Sequence, residues 1–278
     1  MSNLPQATRL TAHWIAAARA RESSRPDALF HDPFAAALAG SRGEATLAAS
    51  EAASGGENTF LPIRTRFFDD LLRGEADRVD QVVLLGAGFD TRAFRLPALA
   101  QVRWFEIDAP ALFAEKEPVL ASLGADGSAT RTVVAADLGG DWESVLLTAG
   151  FTAGLRTAWI AEGLLFYLTP AAVDGLLAGA RALSGSGSMF AADASGSGLL
   201  ALPMMERALR ARAAHGLPPP FTTDDPQSLF GRAGWPQAEL ADLGRLARAY
   251  DRPLEPPSRA RDRARSETLR THLVVART

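Results

Sequence analysis

Short apolar runs alternate with helix-forming segments from about residue 80 onward. The runs predict strands at Gln81–Leu85, Val102–Ile107, Arg131–Ala135, Thr157–Ala161 and Ser188–Ala192. Helices are predicted between the strands at residues 110–123, 141–150 and 170–184. Strands that alternate with helices are typical of βαβ units, in which right-handed crossovers build a parallel sheet. The pattern therefore predicts an α/β fold.

The segment 5–76 is predicted to be helical, because Ala, Leu and Arg dominate it and apolar side chains recur at helical spacing. Pro26 and Pro33 divide it into separate helices. Residues 41–58 are small and polar, which favours a loop, and an amphipathic helix is predicted at 59–73. We expect these helices to form a cap on the α/β core.

The last third of the chain predicts an insert followed by edge strands. A Gly/Ser-rich stretch leads into a helical insert at 199–214, and residues 224–235 predict a further helix that ends at Gly231 or Gly234. Apolar segments at 238–243 and 271–276 predict an antiparallel pair at the sheet edge, and we expect residues 252–268 to be an exposed connection. The expected single domain, 1–278, comprises a cap (1–76), a core (77–194), an insert (195–237) and terminal strands (238–278).

Composition excludes several classes of protein. The net charge of -3 and pI near 5.9 disfavour a nucleic-acid partner, because there is no basic excess to neutralise phosphates. The chain has no cysteine, which removes disulfides and thiolate metal sites, and its four histidines are scattered, so we expect no metal. No long apolar stretch predicts a signal peptide or a membrane span, so we expect a cytoplasmic protein without a membrane partner.

A glycine loop carries the first chemical signal. The strand Gln81–Leu85 runs directly into Gly86, Ala87 and Gly88, where glycine lets the backbone turn tightly and approach a ligand. A dinucleotide-binding fingerprint would have a third glycine at the position of Thr91. The loop therefore suits a nucleoside ligand without a pyrophosphate better than NAD, although a plain strand–helix turn is the alternative.

Acidic residues follow the next three predicted strands. Asp108 ends the second strand about 20 residues beyond the glycine loop, the place where a carboxylate holds a ribose diol; Glu106 shares its face but lies further from the strand end. Asp137 and Leu138 follow the third strand and suit an adenine ring, with a helix N-cap as the alternative for Asp137. Glu162 follows the fourth strand and needs a partner, because burying an unpaired carboxylate is costly.

With these residues in place, the sequence resembles the bacterial S-adenosylmethionine-dependent branch of the leucine carboxyl methyltransferase family. The matching stretches are ARARESSRPDALFHDPFAAAL, RTRFFDD, VVLLGAGFDTRAFRL, FEIDAP, AADL, AEGLLFYLTP and DDPQSLFGRAGW. The resemblance implies a Rossmann-like class I methyltransferase. It also implies a mostly parallel seven-stranded sheet with an antiparallel edge hairpin, a helical N-terminal cap and a helical insert after the fifth strand.

The resemblance also implies a set of residues for the cofactor S-adenosyl-L-methionine. Arg66 of RTRFFDD would pair with the methionine carboxylate, although its spacing from Asp69 and Asp70 equally suits a helix-surface ion pair. Arg21 is matched to a basic residue that precedes HDPF, with Arg19 and Arg25 close by. The other matched residues are Gly86, Ala87 and Gly88 at the methionyl part, Asp108 at the ribose, Asp137 and Leu138 at the adenine, and Glu162 at the ammonium group.

The expected reaction is transfer of a methyl group to an oxygen of a small-molecule acceptor, with a role in secondary metabolism. A carboxylate acceptor needs no general base, and no His–Asp pair stands near the loop, which favours methyl ester formation. Tyr167 and Arg92 are candidates to contact the acceptor. The alternatives are a phenol or alcohol acceptor, a methyltransferase-like binding protein without turnover and, disfavoured by Thr91, an NAD-dependent oxidoreductase; the oligomeric state stays open.

Overall fold

A seven-stranded sheet organises the protein, as seen in a computed structural model that describes residues 6–54, 56–125, 130–202, 205–214, 219–254 and 271–278. The strand order is β3-β2-β1-β4-β5-β7-β6, and only β7 runs antiparallel to its neighbours. The strands are β1 (Gln81–Leu85), β2 (Arg103–Asp108), β3 (Arg131–Ala135), β4 (Thr157–Ala161), β5 (Met189–Ser195), β6 (Gln237–Ala241) and β7 (Thr271–Arg277). This arrangement confirms the predicted fold class.

Apolar side chains fill both faces of the sheet. Val83 and Phe105 belong to a core on one face, which α6, α7 and α9 complete; Val82 and Trp104 belong to a core on the other face, against α3 and α10. Alternate residues of a strand point to opposite faces, so both faces need cover. The core helices are α4 (Arg92–Arg95), α5 (Pro110–Ser122), α6 (Trp142–Thr148), α7 (Pro170–Leu183), α9 (Pro226–Arg232) and α10 (Leu243–Ala249).

The cap consists of α1 (Gln6–Ser23), α2 (Ala35–Ser54) and α3 (Phe60–Glu75). The loop predicted over residues 41–58 is therefore wrong for most of its length. Alanine is the strongest helix former, and here it outweighs the polar residues of the segment. Gly43 packs so closely on α1 that an added Cβ would lie 2.4 Å from the carbonyl oxygen of His13. The small residues of α2 thus serve helix packing and do not indicate a loop.

The C-terminal part closes the sheet edge. The helix predicted within 224–235 is α9, and the two late apolar segments form β6 and β7, as expected. α10 was not predicted from the sequence; it begins after Asp242, whose side chain accepts a hydrogen bond from the Arg245 N–H group. The insert contains a 3-10 turn at Ser197–Ala201 and α8 (Glu206–Ala214). Most of the connection predicted at 252–268 falls outside the described residues.

None of the described helices has both the length and the apolar character that a membrane span needs.

Candidate active site

A cavity of about 670 Å³ opens at the carboxyl ends of the parallel strands. Open α/β sheets place ligands at this edge. The glycine loop and the residues after β2, β3 and β4 form its floor, and α1, α3 and the insert form its walls. Of the residues predicted to be functional, the cavity brings together Gly86, Ala87, Gly88, Arg92, Asp108, Asp137, Leu138, Glu162 and Tyr167.

The glycine loop turns as its sequence predicts. Gly86 and Gly88 both have positive φ angles, 67° and 46°, which favour glycine. An added Cβ at Gly86 would lie 2.8 Å from Cδ1 of Leu164 on the opposite wall. The absence of a side chain at Gly86 therefore lets the loop pack against Leu164, and both residues line the cavity.

Asp108 lies between the glycine loop and α5. Its Oδ2 accepts a 2.7 Å hydrogen bond from the Gly88 N–H group, and its Oδ1 accepts a 2.6 Å bond from the Ala109 N–H group. Burial raises the pKa of the Asp108 carboxyl, although both backbone N–H groups lower it. Each oxygen keeps a lone pair for a further donor.

Glu106 has a different environment from Asp108, although both belong to β2. Its side chain is fully buried and accepts from the Lys116 ammonium at 2.6 Å and the Arg131 guanidinium at 2.7 Å. Glu106 is absent from the cavity wall. The preference for Asp108 over Glu106 as the cavity acid agrees with these positions.

Asp137 and Leu138 lie side by side in the cavity wall after β3. Asp137 Oδ1 accepts a 2.9 Å hydrogen bond from the Gly139 N–H group, while its Oδ2 has no partner among the residues that the structure describes. Leu138 packs on the apolar core beneath the sheet. The pair offers one free carboxylate oxygen beside an apolar surface.

Arg64 is the cation that α3 directs at the cavity. Its Nε donates to Glu162 Oε1 and its Nη1 to Asp193 Oδ2, each at 3.0 Å. Burial lowers the pKa of the Arg64 guanidinium, but the charges of Asp193 and Glu162 outweigh that effect and raise it. Its Nη2 forms no hydrogen bond within the described part of the chain. Arg64 is therefore a cationic partner of the kind that the Glu162 carboxylate was expected to need.

Arg66 was expected to face the ligand, and its position corrects that expectation. Its Nε donates to both carboxylate oxygens of Asp70 at 2.8 Å, and its Nη1 donates to the Leu29 carbonyl. Residues two apart on a helix point in different directions, so Arg64 and Arg66 cannot both face the cavity. The helix-surface ion pair, which the sequence left open, is the arrangement found.

Arg21 also lies outside the cavity wall. Its guanidinium contacts Glu51 at 2.7 Å and Glu57 at 3.3 Å, on the side of α1 that faces α2. Arg19, two residues earlier, lines the cavity instead and is 8% exposed. Sequence spacing could not separate these arginines, because the helix phase relative to the core decides which one points inward.

Arg92 lines the cavity, but its guanidinium is committed to carboxylates. It is 2% exposed and contacts Asp69 and Glu162 at 2.7 Å each, as well as Asp90. Burial lowers the pKa of Arg92, and the three carboxylates raise it well above the ordinary value. Arg92 therefore has little to offer an acceptor; it joins the carboxylates of α3, the glycine loop and β4 into one network.

The remaining wall is largely apolar. Tyr167 is 36% exposed, and its hydroxyl lies 3.4 Å from Thr11 Oγ1. Arg212 of α8 supplies a positive charge on this side. The apolar wall residues are Trp14, Ile15, Phe60, Leu61, Phe166, Leu168, Leu199 and Met205. Phe166 and Leu168 belong to the AEGLLFYLTP stretch, whereas the other six lie in the cap and the insert and reach the cavity only through the tertiary structure.

Fold and site together define an S-adenosylmethionine-dependent class I methyltransferase. The comparison with known proteins gives the family: a model of the leucine carboxyl methyltransferases matches residues 12–180, and the chain belongs to that family. The resemblance proposed from the motifs is thereby confirmed.

Individual relatives agree with this assignment. A Parafrankia protein named "Putative S-adenosyl-L-methionine-dependent methyltransferase" is 44% identical over 211 residues, which are 72% of this chain and 66% of that one. A Streptomyces coelicolor protein of the same description is 39% identical over 266 residues, 90% of each chain. The crystal structure of a "putative methyltransferase" from Thermobifida fusca superposes with a TM-score of 0.57 at 19% identity, covering 88% of this chain and 92% of that one, which shows the shared fold.

Proposed function

We propose that the protein transfers the methyl group of S-adenosylmethionine to a carboxylate oxygen of a small, largely apolar organic acid, so that the product is a methyl ester. The enzyme class and the cofactor follow from the family. The acceptor is argued from the chemistry of the cavity.

The free polar atoms of the cavity fit the cofactor. Asp108 can accept from both ribose hydroxyls, because each oxygen keeps a lone pair. Asp137 Oδ2 can accept from the adenine amine while Leu138 covers the ring. Arg64 Nη2 can donate to the methionine carboxylate, and Glu162 and Asp193 lie beside it for the ammonium group.

The observation that carries the proposal is that the acids of the cavity already have hydrogen-bond or ion-pair partners, so none is left to act as a general base. Asp90 and Glu162 are paired with Arg92, Asp193 with Arg64, and both oxygens of Asp108 accept backbone N–H groups. Asp137, whose Oδ2 has no partner among the described residues, is the acid that we place against the adenine amine. No histidine or lysine lies among the cavity residues that the structure describes. A phenol or alcohol needs a group that removes its proton, whereas a carboxylate is already ionised at neutral pH.

Bound S-adenosylmethionine supplies a methyl group on a sulfonium, which leaves as a neutral thioether. The chain's own contribution is to position the acceptor and to exclude water from it. The apolar wall around Trp14 and Phe166 suits an aromatic or aliphatic body. Arg212 of α8 lines the same side of the cavity.

The test is a panel of three matched acceptors: an aromatic carboxylic acid, its primary alcohol and the corresponding phenol. Methyl transfer to the acid alone, with a product that mild alkali hydrolyses to methanol, is the expected result. The rate with the acid should be nearly constant from pH 6 to 9, because the carboxylate stays ionised. An alkali-stable product from the phenol, formed faster as pH rises, would replace the carboxylate proposal by hydroxyl methylation.

A further inference from the structure

Asp32, in the HDPF stretch of the cap, contacts both the cap and the glycine loop. It is 4% exposed. Its Oδ2 accepts from Arg19 Nε at 2.8 Å and from Thr91 Oγ1 at 2.7 Å, and its Oδ1 accepts from the Phe34 N–H group at 3.1 Å. A buried carboxylate with these three donors is fully compensated and has one well-defined position.

Arg19 extends the contact to the other side of the loop. Its Nη2 donates to the carbonyl oxygen of Phe89 at 2.6 Å. Asp32 and Arg19 therefore hold the backbone at Phe89 and the side chain at Thr91, on either side of Asp90. The loop itself depends on positive φ angles at Gly86 and Gly88, a conformation that glycine leaves open to alternatives.

Arg19 also faces the cavity. It belongs to the cavity wall, and its Nη1 forms no hydrogen bond with any described residue. That nitrogen is not fully buried. Two of the three nitrogens of the guanidinium are thus fixed, and the third is left to a ligand.

We propose that Asp32 is a positioning residue for the cofactor. Through Thr91 and Arg19 it fixes the glycine loop in its binding conformation and presents Arg19 Nη1 to the carboxylate end of S-adenosylmethionine. The position where a dinucleotide-binding loop would carry a third glycine here carries Thr91, whose hydroxyl joins the loop to the cap. Cofactor affinity and the docking of the cap are consequently linked.

The chain offers a matched control for this role. Glu22 is 1% exposed, also belongs to the cap and also pairs with an arginine, Arg252, at 2.7 Å. Its hydrogen bonds come from Arg252 and the Leu29 N–H group, and none within the described part of the chain reaches the glycine loop. Asp32, by contrast, accepts from Thr91 of that loop. Glu22→Gln and Asp32→Asn therefore remove the same kind of buried charge, and only the second touches the loop.

The experiment is calorimetric titration of S-adenosylmethionine into the intact wild type and these variants. Wild-type binding tests the cofactor itself. Asp32→Asn is expected to raise the Kd at least 10-fold, and Glu22→Gln to leave it within twofold while lowering the Tm. Equal changes in Kd for both variants, or none for Asp32→Asn, would overturn the proposal.

Thr91 gives a second route if Asp32→Asn does not fold. Thr91→Val keeps the shape and removes the hydroxyl, and we expect a Kd about 3-fold above that of the wild type. Thr91→Ser restores the hydroxyl and should return the Kd to the wild-type value. If valine and serine at this position bind the cofactor equally well, the hydroxyl contact with Asp32 has no part in positioning the loop.

Discussion

Arg64 and Arg66 lie two residues apart on α3 and point to opposite environments: Arg64 contacts Glu162 in the cavity, and Arg66 contacts Asp70 at the surface. The cation that α3 offers to the cofactor carboxylate is therefore Arg64. We expect Arg64→Met to raise the Kd for S-adenosylmethionine by about 10-fold or more, since a charge-assisted hydrogen bond contributes roughly 1.5–3 kcal/mol.

Arg66→Met is the matched control on the same helix. It removes an i,i+4 surface pair that is worth about 0.3–0.5 kcal/mol, so Kd should stay unchanged within twofold. Titration calorimetry on both variants decides between the two arginines. A larger loss of affinity in Arg66→Met than in Arg64→Met would restore the role that the sequence motif suggested.

Substitutions at Asp108 and Glu106 should affect different quantities: the first should weaken cofactor binding, and the second should lower the stability of the fold. Asp108→Asn removes the charge that we propose holds the ribose and is expected to raise the Kd at least 10-fold with a small change in Tm. Glu106→Gln leaves the buried Lys116 and Arg131 without full compensation, and breaking such a pair costs about 3–5 kcal/mol. Thermal unfolding and calorimetry on both variants should give opposite results; unchanged affinity in Asp108→Asn would refute the ribose assignment.

The carboxyl of Asp90 should shape the acid stability of the protein. Burial raises the pKa of Asp90, but the charges of Arg92, Arg95 and Arg19 and the Arg92 N–H group lower it from 3.8 to about 2. Because the folded-state pKa is depressed, the stabilisation is complete above pH 4 to 5 and is lost as pH falls from about 4 to 2, up to about 2 kcal/mol.

Asp90→Asn should lower the free energy of unfolding at neutral pH and make its decline between pH 4 and 2 less steep. Denaturant unfolding at a series of pH values measures both quantities. If the free energy of unfolding of the variant falls as steeply between pH 4 and 2 as that of the wild type, Asp90 is not the group whose protonation destabilises the protein in acid.

Substitutions at Tyr167 test whether its side chain only lines the cavity or also acts as a base. With a carboxylate acceptor, Tyr167→Phe should keep kcat within about twofold, because the ring supplies apolar surface and no proton has to be removed. Tyr167→Ala should raise the acceptor KM severalfold and leave the cofactor Kd unchanged. A large loss of kcat in Tyr167→Phe, together with a phenolic acceptor, would instead indicate that the hydroxyl takes part in proton transfer.

The core of the fold was predictable because its signals are local. β1, β3 and β4 begin and end at the predicted residues, since each is an apolar run bounded by polar or glycine residues. The cap was less predictable. Residues 41–54 look like a loop because they are small and polar, yet their alanines favour a helix and Gly43 packs closely on α1.

The candidate site also has one part that the sequence predicts and another part that depends on the tertiary structure. Gly86 and Asp137 come just after β1 and β3, and Asp108 ends β2. The sequence by itself therefore determined which edge they share, because parallel strands end on one side of a sheet. Whether Arg64 or Arg66, and Arg19 or Arg21, enters the cavity depends on how each cap helix is rotated against the core. Only the tertiary structure decided that, because residues distant in the chain, Glu162, Asp193 and Asp32, supply the partners that fix the rotation.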